Sequence, residues 1–304
     1  MAHRELTVPP EAAGKRLDLF VGEALAASRA KLKALFEAGA VRVDGRKAKK
    51  GQLVTPGQSV AIEVEEEGPR APVPEPQAPL TVLHEDADLL FLDKPARRPS
   101  HPLASGEKGT VANALVARYP ECADASEDPR EAGLCHRLDV ETSGVLLAAR
   151  NRAAWEKVRA AFAERKVDKR YWALVTGPIA DAGEIELALR HHGDRVEPAA
   201  DGEDAREAIS SFRVLARQGE FSLVEVRILT GVLHQVRAHL AAIGAPIVGD
   251  VRYGGRAEPA LTRFFLHARS LALAHPSTGR QVTVESPLPA ELAACLETHR
   301  LRLD

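Results

Sequence analysis

Leu134-Cys135-His136-Arg137-Leu138-Asp139-Val140-Glu141-Thr142-Ser143-Gly144 is the stretch on which the reading of this chain turns. An arginine and an aspartate stand two residues apart, just before the apolar run Val145 to Ala149. That run has the length of a strand, and a helical pattern opens after Arg150-Asn151. Gly133 and Gly144 bracket the segment, and glycine reaches backbone shapes that other residues resist. Asp139 is therefore expected on a constrained turn at the mouth of a strand. Taken alone, an aspartate beside Thr-Ser-Gly is a turn or cap residue more often than a catalyst.

The totals bound what surrounds this stretch. A chain of 304 residues holds one large domain, or a large plus a small one. The net charge of -2 does not announce a nucleic-acid binder, although a local basic patch would escape that count. Cys122, Cys135 and Cys295 show no paired spacing, which suits a reducing cytoplasm and argues against a disulfide framework or a zinc ribbon. The opening residues Met1-Ala-His-Arg-Glu lack the apolar core of a signal peptide, and no apolar run approaches a membrane helix. A cytoplasmic monomer without membrane contact is the expectation.

Residues 14–64 read as a compact module. Leu17, Phe20, Val21 and Leu25 recur at helical spacing, and Ser28 is placed to cap a second helix reaching Gly39, with Leu32, Leu35 and Phe36 inward. Val41-Arg-Val-Asp-Gly-Arg-Lys gives a strand, an Asp-Gly turn and a return, and Val60, Ile62 and Val64 alternate as a closing strand. The module carries ten Lys/Arg against five acids, an excess of five positive charges. That excess fits a solvated basic face or a phosphate-contacting surface. Residues 65–79 hold five prolines within 69–79 and are expected to form an extended spacer.

A larger domain is expected over 80–304. Thr81-Val-Leu-His and Leu89 to Asp93 read as strands, and Lys94-Pro95 to Ser100-His101-Pro102 as a rigid loop. Residues 121–132 and 191–207 read as polar loops. Asn151 caps a helix from about Arg152 to Arg165, and Lys169 to Val175 follows as a strand in which Tyr171 and Trp172 face opposite sides, Trp172 taking the core side. Phe212 to Leu215 and Phe221 to Leu229 are further strands. Leu229 to Gly244 is a strand end, a glycine turn and a helix that Gly244 stops. His234 and His239 are about 140° apart on such a helix, so they do not share a metal-binding face, and no metal site is expected.

His-Arg-Leu-Asp-x-x-Thr-Ser-Gly at 136–144 resembles the catalytic motif of the RluA-type pseudouridine synthases. Lys15-Arg-Leu-Asp, Ser28-Arg-Ala-Lys-Leu-Lys and Gly39-Ala-Val-Arg-Val-Asp-Gly resemble the S4 RNA-binding domain. The run through Thr230-Gly231, His234-Gln-Val-Arg, Gly249-Asp250 and Leu266-His-Ala-Arg resembles the same synthase family almost position by position. Val232 departs from it, since Arg or Lys is usual after Thr-Gly, and Arg97 stands where a glycine is usual after Lys-Pro-Ala.

The resemblance implies an α+β fold: a small S4-like α+β domain at 1–64, then a synthase domain at 80–304 with a mixed, largely antiparallel sheet. It implies an isomerase that converts uridine to pseudouridine in structured RNA, ribosomal or transfer, with no cofactor. Asp139 would be the nucleophile or base, Arg237 its charge partner, and Tyr171 the active-site tyrosine. Arg137 would enter the space left by an extruded nucleotide, because a glycosidic carbon inside a stack is out of reach. His136, Thr142 and His234 would line the substrate site, and Arg29, Lys31 and Lys33 would contact RNA from the small module. A non-catalytic RNA-binding or chaperone protein on the same fold, and more distantly a metal-dependent hydrolase, stand as the alternatives.

Overall fold

The computed structural model describes residues 2–25, 27, 29–64, 71–200 and 204–302. Two compact units divide between Gly68 and Pro69.

In the first unit, β1 (Ala2–Thr7) precedes α1 (Leu17–Leu25) and α2 (Arg29–Glu37), followed by β2 (Val41–Val43), β3 (Arg46–Lys47) and β4 (Ser59–Val64). The sheet order is β1-β4-β2-β3. Leu17, Val21, Leu32 and Phe36 from the helices bury against Val41, Val43, Val60 and Ile62 of the sheet. Asp44 and Gly45, at φ 48° and 78°, make the tight turn that the Asp-Gly pair predicts. The strand β1 is an addition to the sequence reading: it lies antiparallel on β4, Leu6 opposite Val60. Ser28, the expected cap, lies outside the described residues.

The second unit is built on one large sheet. Its elements are β5 (Thr81–Glu85), β6 (Leu89–Lys94), α3 (Val111–Arg118), β7 (Ser143–Ala149), α4 (Arg152–Ala163), β8 (Asp168–Thr176), β9 (Ala182–Glu186), β10 (Leu189–His192), β11 (Arg195–Pro198), β12 (Ile209–Gln218), β13 (Phe221–Ile228), α5 (Gln235–Ala242), β14 (Leu266–Ala274), β15 (Gln281–Glu285) and α6 (Ala290–Thr298). The order is β5-β6-β7-β14-β8-β13-β12-β9, with β15 on β14. Every described pairing within it is antiparallel except β7 with β14. The fold is α+β with a mixed, largely antiparallel sheet.

β7 is buried along its whole length because both of its faces are covered. Leu146 and Ala148 pack with Leu115 and Val116 of α3, while Leu147 and Ala149 pack with Trp155 and Val158 of α4. A strand covered on both sides needs no polar residue at alternate positions, which is why Val145 to Ala149 reads as an unbroken apolar run. The Asn151 side chain accepts from the Ala154 amide and caps α4, a contact worth about 1 kcal/mol.

Where β7 meets β14, Gly144 has φ +116°, and a Cβ there would lie 2.2 Å from the Ala268 carbonyl oxygen. Only glycine fits so close an approach, so Gly144 fixes where the Asp139 turn enters the sheet.

Three expectations are corrected. Residues 71–79 do not stand off as a spacer: Pro72 is buried, the Asn113 side chain donates to Val73 O at 2.8 Å, and Glu75 accepts from the Gly109 amide at 2.7 Å. Prolines that forbid a helix still allow an extended strap whose carbonyls and carboxylate find donors on the domain. The polar stretch after 191 is not all loop; β10 and β11 pair as a hairpin and bury Leu189 and Val196 against Ala238 of α5. Residues 121–132 form two short 3₁₀ turns that bury Cys122, Ala125 and Ala132.

Candidate active site

The Asp139 turn begins with its backbone. Thr142 N–H donates to Asp139 O at 3.1 Å, closing the turn, and the Ser100 hydroxyl stands 3.1 Å from both N and O of Leu138. This holds the Asp139 carboxylate, about one-fifth exposed, at the rim of a cavity of about 640 Å³. That volume falls in the usual range for a small-molecule or nucleotide site.

Arg237 on α5 reaches Asp139 with an N–O distance of 3.3 Å. Its stronger attachment is to Asp250: Nε donates to Oδ2 at 2.6 Å and an Nη to Oδ1 at 3.0 Å. The guanidinium lies between the rings of Phe264 and Tyr253, 4.3 and 4.9 Å from their centroids. Burial works against its charge, but the hydrogen bonds and charge of Asp250, helped by Asp139, outweigh that and hold Arg237 above its ordinary value. Arg237 is thus a fixed, fully charged fork: two donors are spent on Asp250 and one is aimed at Asp139.

His234 begins α5 in the left-handed region, at φ 53°. Its Nε2 stands 3.9 Å from Asp139 and its Nδ1 3.0 Å from the Tyr253 hydroxyl. Burial holds the imidazole below its ordinary value, against the pull of Asp139. His239 points elsewhere, to Ser210 Oγ at 2.9 Å and Leu187 O at 3.0 Å.

Tyr171 lines the same cavity from β8. Burial, with the Asp139 charge adding to it, pushes the phenol up, so the hydroxyl stays protonated and the ring offers a neutral face. Trp172 does point the other way, but burial is the reverse of expectation: Tyr171 is buried, whereas Trp172 is half-buried beneath the Arg269 guanidinium at 5.0 Å.

The remaining expected residues divide. Arg137, His136, Thr142 and His234 all line the cavity with Asp139, Tyr171 and Arg237. Arg137 is exposed and has no ion pair among the described residues. His136 is committed to the scaffold: its Nε2 accepts from the Leu147 amide at 3.0 Å, its ring stacks on Phe162, and burial, with Lys169 adding to it, pushes it down to about 3. Lys33 lies in the other unit, 3.7 Å from Glu37 on α2, and the side chains of Arg29 and Lys31 lie outside the described residues.

The two departures have structural counterparts. Arg97 takes φ +62°, a conformation suited to glycine, while its side chain donates to Thr262 O at 2.9 Å. Val232 turns to the hairpin cluster, and its amide donates to Gln235 Oε1 at 3.1 Å.

Sequence reasoning missed Asp250, Gln235 and Lys169. Gln235 ties the loop before α5, also donating to Ile209 O and Ser210 Oγ, both at 3.0 Å. Lys169 is buried at the cavity wall, donates to Thr230 O at 2.9 Å, and burial pushes it down to about 8. The available signal was a polar residue inside an apolar setting, such as Asp250 after Pro246-Ile-Val-Gly.

Comparison with known proteins identifies the family. A family model described as RNA pseudouridylate synthase matches residues 88–242, and an S4 domain model matches residues 15–60. An RNA pseudouridine synthase of Chloroflexus aurantiacus is 40% identical, over 96% of this chain and 92% of its own. A ribosomal large subunit pseudouridine synthase D of Pseudomonas aeruginosa is 35% identical, over 96% of this chain and 94% of its own. The structure of human RNA pseudouridylate synthase domain containing 4 superposes with a TM-score of 0.59 at 25% identity, covering 73% of this chain and 94% of that one. With its cavity built around Asp139, Tyr171 and Arg237, the chain belongs to the RNA pseudouridylate synthase family and carries an S4 domain at its N-terminal end.

Proposed function

We propose that this isomerase acts on a uridine of large-subunit ribosomal RNA, and that Asp139 is the group that acts at the ribose. The observation that carries the site assignment is the carboxylate at the cavity rim, held by an arginine that is itself pinned by a second buried carboxylate. In the reaction the C1′–N1 bond breaks, the base turns, and a C1′–C5 bond forms. The C5 hydrogen leaves as a proton while N1 takes one up, so no electrons change hands and no redox cofactor is needed. A carboxylate serves as nucleophile at C1′ or as the base that receives a proton. The Tyr171 ring stacks on the uracil, and Arg137, exposed and without an ion pair among the described residues, takes the gap left in the RNA. Support for ribosomal RNA comes from the relatives named as large-subunit enzymes. The S4 unit, with its local positive excess, supports RNA as the partner.

Pseudouridine mapping of ribosomal and transfer RNA, from cells with and without the gene, tests the reading. One or more large-subunit positions should lose pseudouridine and regain it on complementation. Loss confined to transfer RNA would overturn the ribosomal assignment, and an unchanged map would favour the non-catalytic alternative.

A further inference from the structure

Tyr253 ends the short turn 251–253 that follows Asp250, and its ring lies 4.9 Å from the Arg237 guanidinium. Its hydroxyl meets two other groups. The Val196 amide of β11 donates to it at 2.9 Å, and His234 Nδ1 stands 3.0 Å away. An amide nitrogen only donates, so the phenol oxygen accepts from Val196. The hydroxyl proton then has one acceptor among the described residues, His234 Nδ1. The reverse arrangement, with an Nδ1–H donating to the phenol, would leave that proton without an acceptor in a half-buried position.

A neutral imidazole that accepts at Nδ1 carries its proton on Nε2. That nitrogen faces Asp139 Oδ1 at 3.9 Å, too long for a hydrogen bond. The other oxygen, Oδ2, is the one that Arg237 reaches. The Nε2–H therefore stands unspent beside the carboxylate, in the cavity that both residues line. Four charged groups face the ring. Burial, with Arg237 and Arg252 adding to it, outweighs the pull of Asp139 and Asp250, so the ring is neutral at pH 7. A left-handed backbone at φ 53° places His234 at the head of α5. Arg252 ties the 251–253 turn to the β10–β11 hairpin a second time, donating to Asp194 O at 3.0 Å.

We infer that Tyr253 is a positioning residue for the isomerisation: its hydroxyl fixes His234 as the Nε2–H tautomer and so presents a neutral donor to an oxygen of the target nucleotide beside Asp139. The inference rests on the reading of Asp139 as the reacting group. An Nε2–H can hydrogen-bond a ribose or uracil oxygen next to C1′, whereas the other tautomer offers only a lone pair there. The Val196 amide, by occupying the phenol oxygen, turns the Tyr253 proton toward His234.

The test uses the full chain as wild type, Tyr253→Phe, His234→Gln, the double variant and Asp139→Asn. Nitrogen-15 NMR of protein labelled at the histidine rings reads the tautomer, with His234→Gln assigning the signal. Single-turnover tritium release from a large-subunit RNA transcript labelled at uridine C5 reads the rate, beside an RNA-binding titration. In wild type His234 should be protonated at Nε2 and bare at Nδ1. Tyr253→Phe keeps the ring against Arg237 and should bind RNA as wild type does. Its His234 should become a mixture of both tautomers, and its rate should fall about 10-fold, the loss of one positioning hydrogen bond. His234→Gln should also be slowed, and the double variant should be no slower than His234→Gln alone, because both changes act through one donor. Losses that multiply in the double variant would make Tyr253 purely structural and overturn the inference, as would a wild-type rate in Tyr253→Phe. An Nδ1–H tautomer in the wild-type protein overturns it whether or not the variants fold. Turnover by Asp139→Asn at the wild-type rate would instead remove the parent reading.

Discussion

The Arg237 side chain shows how little a single residue type says about its role. By spacing it is one helical arginine among many. In the fold it is about 5% exposed and shared unequally between two carboxylates. Replacing it with alanine leaves Asp250 buried without a partner, which costs on the order of 3–5 kcal/mol of stability. It also removes the cation beside Asp139. Activity is therefore expected to fall by at least about 100-fold and its acid limb to move to higher pH. Denaturant unfolding and a pH series of tritium release check both expectations; equal activity and an unmoved limb would remove Arg237 from the mechanism. Asp139, Tyr171 and Arg237 were legible because each stands in a motif that resembles a family. Asp250 stands in such a run too, yet its role was not legible, because its meaning lies in a side chain thirteen residues away on another element, and after Val-Gly an aspartate reads as a turn residue.

At the level of elements, the strands that read well were those with one consistent environment. β7, β8 and β13 carry runs whose burial matches their sequence pattern. β9, β15 and the β10–β11 hairpin escaped because they are short, mostly exposed and rich in charge; their places are set by pairing, which sequence does not display. The junction of β7 and β14 yields a pH prediction. His267, fully buried, sits between Ser143 Oγ at 2.9 Å and Ser286 O at 3.2 Å, and burial pushes it down to about 4. Its folded value lies below its unfolded one, so the unfolded chain takes up the proton first as pH falls. Its contribution to stability is complete above about pH 6.5 and is lost at about 1.4 kcal/mol per pH unit below that, down to the folded value. His136, pushed down to about 3, adds a loss of the same sign. The unfolding temperature should drop steeply between pH 7 and 5, and His267→Gln should flatten the drop. An identical slope in the variant would contradict this account of the junction.

For the whole molecule, the two units own separate cores, so affinity and chemistry are separable by design of experiment. The chain rejoins the second unit by residue 71, because Val73 and Glu75 find partners on α3 and at Gly109 just ahead of it. Removal of residues 1–68 should leave the second unit folded while RNA binding weakens and its salt dependence becomes shallower, with fewer phosphate contacts to release counterions. Binding titrations at several salt concentrations read this directly, and an unchanged slope would take the RNA-contacting role away from the S4 unit. The central claim concerns the intact chain: one carboxylate performs the chemistry, while binding is spread over basic surfaces. The most direct measurement is tritium release from C5 of labelled ribosomal RNA by Asp139→Asn, with a parallel binding titration. Asparagine keeps the shape of the side chain and loses its charge and nucleophilicity. The account predicts that turnover is abolished while RNA affinity is retained or slightly tightened; turnover near the wild-type rate would contradict it.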